Sequence, residues 1–464
     1  MSAMNETDPN SLSRRAALRA LGGGLGAVAL RGLAGAQQGG GSLHHIPRAK
    51  RVIFLCMAGA PSHVDTFDHK PALAANSGKT SEEGGRRGAS LLGSPWRFSQ
   101  HGESGLWISE LFPGVARHAD KLCLLRGMHT EVPAHSQAFL AMHTGSTRFV
   151  RPSMGAWSLF GLGTENTSLP GFVTINPPSG LGGAQNYGSA FLPSANQGQR
   201  IGIERESRLL RRGGTTSPVA NITNLRYGSK TQRRQLDLTR DLNESYARKQ
   251  RSDADTIGAI TESYELAFRM QAELPDLLDL TGVDDRTAAR YGIGSEETDG
   301  FARQCLYALR MAESGVRFIE VNQGGWDHHF NLREELPASC RAVDRPIAAL
   351  LEDLERTGLL EETLVVWGGE FGRTPHAQNG NGRDHNNRGF TTWMAGGGVR
   401  GGMSYGATDE LGYEAVEGRV SIHDWHATIL HILGLDHEQL TYPYAGRDFR
   451  LTDVHGRIVQ ELLA

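Results

Sequence analysis

The stretch "RVIFLCM", residues 51–57, is apolar at six consecutive positions. A strand with one wet face alternates apolar and polar residues, so a run without alternation is expected where helices cover both faces of a sheet, as in parallel sheets. Further along, "VRFIEV", "TLVVWGG" and "FTTWMAGGG" read as strands. Between and after them, apolar residues recur at helical spacing over 257–272, 299–313, 338–356 and "HDWHATILHILGL", with Phe301, Cys305, Leu309 and Ala312 marking one such face. A strand at 121–126 and a helix beginning near Ser136 are predicted upstream. Alternating strands and helices define an α/β class: a doubly wound, mostly parallel sheet with helices on both faces. A polar, arginine-rich stretch at about 195–255 reads as an insertion on that core.

With 464 residues the chain can build one large core, placed here at 50–464. Its formal net charge of −3 argues against nucleic acid as a partner. The 59 glycines are nearly double the usual share of about 7% and follow no period, which predicts many tight turns and long loops. Cys56, Cys123, Cys305 and Cys340 show no CxxC spacing, and no disulfide framework is expected.

Residues 1–36 contain Arg14-Arg15, a short, weakly apolar stretch interrupted by Arg19 and Arg31, and the small-x-small sequence Ala34-Gly35-Ala36. That pattern is similar to a twin-arginine export signal and falls short of the roughly 20 apolar residues of a stable membrane span. A linker follows at 37–49. The expected partner is the twin-arginine export machinery, and the expected location is the periplasm or cell surface.

Polar clusters stand where such a sheet keeps its crevice, beyond the carboxyl ends of the strands. His63, Asp65 and Asp68 follow the first strand; Asp327, His328 and His329 follow "VRFIEV"; Glu370 follows "TLVVWGG"; Asp384 and His385 precede "FTTWMAGGG". One acid after a strand is commonly a helix cap. Four loops that each bring oxygen or imidazole donors to one sheet edge point instead to a divalent metal site, with zinc, calcium or magnesium as candidates. In the last helix, His431 reads as structural, and His426 stays undecided.

The motifs "GAPSHVDTFDHKP", "GGWDHH", "GGEFGRTP" and "GRDHNNRGF…AGGGVRGG" resemble an exported family of unknown function numbered 1501, related to the sulfatases and the alkaline-phosphatase superfamily. The resemblance implies an alkaline-phosphatase-like core. It implies Asp65 as the first-strand metal ligand, Asp327 with His329 or His328 as a second group, Glu370 at the acid of an Asp-His pair, and His385 as a distal ligand. Two departures stand out. Phe371 replaces the histidine of that pair, and His135 falls at the nucleophile position in "VPAHSQAFLAMHTG". No Cys/Ser-x-Pro-x-Arg motif is present, so formylglycine chemistry is not expected.

The resulting expectation is an exported, metal-dependent hydrolase of phosphate or sulfate esters, acting on an anionic small molecule or polysaccharide. Metal-activated water, Ser136 at a helix start, or His135 remain as nucleophiles, with His135 also a candidate general base. Arg373 and Arg388 are candidate clamps for an anionic ester oxygen. The alternative is a non-catalytic binding or assembly module that keeps the fold, for sulfated or phosphorylated polysaccharide.

Overall fold

The computed structural model describes residues 43–81, 88–202, 219, 222, 226–249 and 254–464. The expected export signal, the start of the linker and part of the expected insertion lie outside the described residues. The strands of the main sheet and of a hairpin at its rim are β1 (Arg51–Met57), β2 (Leu122–His129), β3 (Phe172–Ile175), β4 (Gln199–Ile201), β5 (Phe318–Gln323), β6 (Thr363–Gly368), β7 (Gly372–Gln378), β8 (Gly382–Asn386), β9 (Phe390–Ala395), β10 (Met403–Tyr405) and β11 (Val420–Ser421). The helices that matter below are α1 (His63–Thr66), α2 (His135–Thr144), α3 (Met154–Leu162), α4 (Ser229–Lys249), α5 (Ala254–Leu278), α6 (Asp299–Glu313), α7 (Leu332–Arg356) and α8 (Ile422–Ile432).

The nine-stranded sheet has the order β10-β2-β9-β6-β1-β5-β3-β4, with β11 also pairing with β2. Every pairing is parallel except those of β9, which runs against β2 and β6. The carboxyl ends of β1, β2, β5 and β6 therefore share one edge. The α/β architecture expected from the apolar runs is the one observed.

β1 is buried at all seven positions because its side chains feed two cores. Ile53, Leu55 and Met57 pack with residues of α6 and α7 on one face. Val52, Phe54 and Cys56 pack with residues of α2, α3 and α8 on the other. Each large apolar side chain removed from water in this way contributes about 1.5–3 kcal/mol. α7 starts six residues before the predicted 338 and runs through Pro337 and Pro346. A proline inside a helix removes a backbone hydrogen bond. Here the buried stripe Leu332, Leu336, Cys340, Val343 and Ile347 continues across both and outweighs that loss.

α4, within the expected insertion, has no buried residue and is tied to α5 by a two-pronged Arg233–Glu265 pair. All four cysteines are free and buried. His426 is buried and donates from Nε2 to the Met142 carbonyl at 2.7 Å, which settles it as structural, while the His431 ring lies 4.3 Å from that of His45. Among the described residues, no helix is long and apolar enough to cross a membrane.

Candidate functional site

Four of the singled-out side chains meet at the shared edge. Asp327 and His329 come from the loop after β5, His135 opens α2 after β2, and His385 lies on β8. Their donor atoms all lie within 4.8 Å of one another. Asp327 Oδ1 is 2.9 Å from His329 Nε2, 3.1 Å from His135 Nε2 and 3.5 Å from His385 Nε2, and the Nε2 atoms of His329 and His385 are 2.8 Å apart.

The outer nitrogen of each imidazole fixes what the inner one can do. His385 Nδ1 is 2.7 Å from the Pro133 carbonyl, which can only accept, so Nδ1 carries the hydrogen. His135 Nδ1–H donates to Glu370 Oε1 at 2.6 Å, and His329 Nδ1–H donates to Gln378 Oε1. In its neutral form each ring therefore turns an Nε2 lone pair toward the Asp327 carboxylate. Acceptors facing acceptors repel unless protons or a metal ion lie between them. Histidine ligands to a metal typically donate their second nitrogen to a carboxylate or carbonyl in this manner. Around a tetrahedral ion with bonds of about 2.1 Å, neighbouring ligand atoms sit about 3.4 Å apart, so seating one here needs shifts of about half an ångström. The described residues thus form a possible His/Asp metal site.

The same charges dominate the protonation of the site. Burial lowers the His135 pKa, but hydrogen bonds to Asp327 and Glu370 outweigh it and push the value up to about 9. Burial raises that of Asp327, and hydrogen bonds from His135, His385 and Arg373 carry it well below the ordinary carboxylate range. The Asp327 side chain is 46% exposed, so the cluster opens to solvent on that side. The Phe371 ring closes the other, 4.8 Å from the rings of both His135 and His385.

Glu370 is fully buried behind His135 and also accepts from the Gly59 amide at 3.1 Å, so it supports the cluster through His135. Asp65 corrects the expectation of a first-strand ligand. Its two oxygens are held by Arg383 at 2.6 and 2.9 Å, Ser62 donates to one of them at 2.6 Å, and both Asp65 and Arg383 are sealed from solvent. Its charge is already neutralised. Arg373 is also corrected as a substrate clamp. It is buried, its Nε donates to Ala60 O at 3.0 Å, its Nη1 to Arg383 O at 3.3 Å, and its Nη2 to Gly59 O and to Asp327 Oδ1 at 2.6 Å. Its work is to position Asp327.

His328 is turned away from the cluster and buried, 3.3 Å from Ser339 Oγ, and burial followed by the Arg373 charge lowers its pKa to about 4. Asp384 Oδ1 accepts from the amide of His385 and lies 4.0 Å from His329 Nδ1, outside the four-residue group. Arg388 pairs with Glu414 at the surface. Ser136 is exposed in the first turn of α2 beside His135. His63 and Asp68 are buried and held elsewhere, by Gly412 O and by Thr408 and Lys70. Arg383 and Gln378 are the partners that sequence reasoning missed. A cleft of about 420 Å³ bordered by Thr130, Glu131, His423 and His455 shares the β2–α2 loop, but no member of the cluster lines it.

Fold and site together define an α/β protein with a histidine–aspartate cluster at the carboxyl edge of a mostly parallel sheet. The chain belongs to the family described as protein of unknown function DUF1501, whose model matches residues 49–463. A comparison with curated protein sequences finds no match. Among solved structures, the chain is similar to the PsFucS1 sulfatase from Pseudoalteromonas sp., at 13% identity and a TM-score of 0.40, covering 94% of this chain and 75% of that one. It is also similar to the alkaline phosphatase from the Antarctic bacterium TAB5, at 11% identity and 0.34, covering 83% and 98%. The complex of Ps i-CgsB with k-i-k-neocarrahexaose stands at 11% identity and 0.36, covering 84% and 72%. At this level of likeness the three assign no activity to the chain.

Proposed function

We propose that this protein is an exported, metal-dependent hydrolase of phosphate or sulfate esters. The observation that carries the reading is the convergence of three imidazole Nε2 atoms on the solvent-facing carboxylate of Asp327, each ring fixed from behind by its own acceptor. His135, His329, His385 and Asp327 would hold the ion. A divalent cation of the zinc class suits this nitrogen-rich set, and when bound it would polarise the ester oxygens and acidify water.

The chain's own groups supply the rest. Arg373 is buried beside the Asp327 carboxylate, and a bound divalent ion would add positive charge at the opening, which favours an anionic ester. α2 starts without a side-chain cap, so the amides of its first turn, beside His135, are left without a side-chain acceptor. Arg373 holds Asp327, Gln378 holds His329, and Phe371 excludes water behind two of the rings. Because His135 is tied to Glu370 and faces Asp327, it serves as a ligand or proton carrier. Water is the nucleophile this geometry favours, and Ser136 is the side-chain alternative.

The test is metal analysis of the purified protein with turnover of 4-nitrophenyl phosphate, a 4-nitrophenyl phosphodiester and 4-nitrophenyl sulfate. Asp327→Ala and His329→Ala are each expected to release metal and lower turnover by about 10²-fold or more, the several kcal/mol such an ion supplies. Ser136→Ala is expected to keep turnover, and its loss would make the serine the nucleophile. One observation favours a second reading. His135 occupies the nucleophile position and is committed to the cluster, which fits a binding or assembly module for sulfated or phosphorylated polysaccharide. Metal retained with none of the three substrates turned over would select it.

A further inference from the structure

A second group of ligand-type side chains lies inside the protein, and the cluster just described does not use it. Cys56 on β1, Glu320 on β5 and His143 in α2 bring a sulfur, a carboxylate oxygen and an imidazole nitrogen within 4.8 Å of one another, and all three residues are buried. The sheet register explains the meeting. Glu320 is the Cα partner of Phe54 and Asn322 that of Cys56, so the acid points into the apolar layer under α2, α3 and α8.

A carboxylate there costs several kcal/mol unless it is fully partnered. Glu320 is not. Oε1 lies 3.3 Å from His143 Nε2, while Oε2 is buried with no hydrogen-bond partner among the described residues. His143 Nδ1 donates to the Phe139 carbonyl at 2.7 Å, so Nε2 is the atom left to face the carboxylate, and a proton or a metal ion must stand between. A charge-assisted N–H···O bond closes to about 2.7–2.9 Å. Two ligands on a tetrahedral ion of zinc size sit about 3.4 Å apart. At 3.3 Å the pair is longer than such a hydrogen bond and leaves room for an ion, and a shared proton would leave Oε2 without a partner. Asn322 is anchored to β3 through Nδ2 and keeps a buried Oδ1 without a partner, a further oxygen donor in this layer.

We propose that Cys56, His143 and Glu320 form a buried, structural cation site that takes one zinc-class ion through thiolate, imidazole and carboxylate. On binding, the Cys56 S–H bond breaks, its proton leaves to solvent, and the sulfur lone pair forms the bond to the ion. The ion would fasten α2, which carries His135 at its start, to the two central strands. This proposal does not depend on the hydrolase reading.

The surface cluster contains no cysteine, so a thiolate reports on the buried site alone. Protein produced with cobalt in place of zinc is expected to hold two equivalents and to show a thiolate-to-cobalt charge-transfer band in the near ultraviolet. Cys56→Ala is expected to lose one equivalent and the band, whereas Asp327→Ala loses the other equivalent and keeps the band. A chelator should strip the exposed ion first. Unmodified protein without the band overturns the proposal whether or not Cys56→Ala folds, as does Cys56→Ala that keeps two equivalents. One equivalent with the band, unchanged in Asp327→Ala, supports the buried site and sinks the surface one.

Discussion

Asp327 meets three imidazoles and a guanidinium through one carboxylate oxygen, and the atoms one step further out decide whether that meeting holds. Replacing Gln378 by Leu removes the acceptor for His329 Nδ1–H and frees the ring to turn. Such partners are typically worth 10–100-fold in metal affinity; a loss in that range by calorimetric titration, with the fold intact by circular dichroism, is expected. His426 makes a separate test. Burial lowers its pKa to about 3 from an ordinary 6.5, so the folded state holds it neutral. Its share of stability is complete above pH 6.5 and falls with pH by about 1.4 kcal/mol per unit until about pH 3. In His426→Gln, which can still donate to Met142 O, the slope of unfolding free energy against pH over this window should be shallower by about one proton. That Asp327, His329 and Glu370 gather at one sheet edge was legible because each follows a strand; that Glu370 backs His135 and that His385 arrives on a hairpin was not. Asp65 was misread for a physical reason: a free acid and one sealed by an arginine 318 positions away look alike in the sequence.

At the scale of elements, the β7–β8 hairpin carries Arg373, Gln378, Arg383 and His385. Its turn has Asn379 at φ 52° and Gly380 at φ 83°, the left-handed backbone that makes Asn-Gly a strong hairpin signal. That signal stands in the sequence. Its effect does not, because it depends on how the hairpin folds across the rim. The close approach is measured at Gly382, where an added Cβ would come within 2.0 Å of the His329 carbonyl. Gly382→Ala should therefore push His385 away from His329 and weaken metal binding, while thermal unfolding stays cooperative. At Gly59, φ is +112° and a Cβ would lie 2.8 Å from the Asp327 amide. Gly59→Ala should displace the Asp327 loop and cost stability as well. The strands β1, β5, β6 and β9 and the helix α6 could be read from apolar runs and spacing alone. The antiparallel direction of β9 in the main sheet could not, since it is set by the hairpin that precedes it.

For the molecule as a whole, the Asp65–Arg383 pair joins the helix after β1 to the rim hairpin inside a sealed interior. Breaking a buried pair from one side leaves a bare charge and typically costs 3–5 kcal/mol. Asp65→Ala should lower the unfolding free energy in urea by about that amount, a larger effect on stability than that of Asp327→Ala, whose carboxylate is half in water. Export is tested on the whole chain too: with Arg14 and Arg15 both changed to Lys, the protein is expected to accumulate inside the cell, assayed by fractionation. The sealed pair also has a kinetic meaning. A hairpin bolted by a buried charge and pressed against the neighbouring loop at Gly382 is expected to stay in place and not to swing as a flap, which keeps the opening on the Asp327 side as it stands. Selectivity would then come from the rigid outline of that aperture, and arrival and departure of ligands should show a single rate, without a slow gating phase.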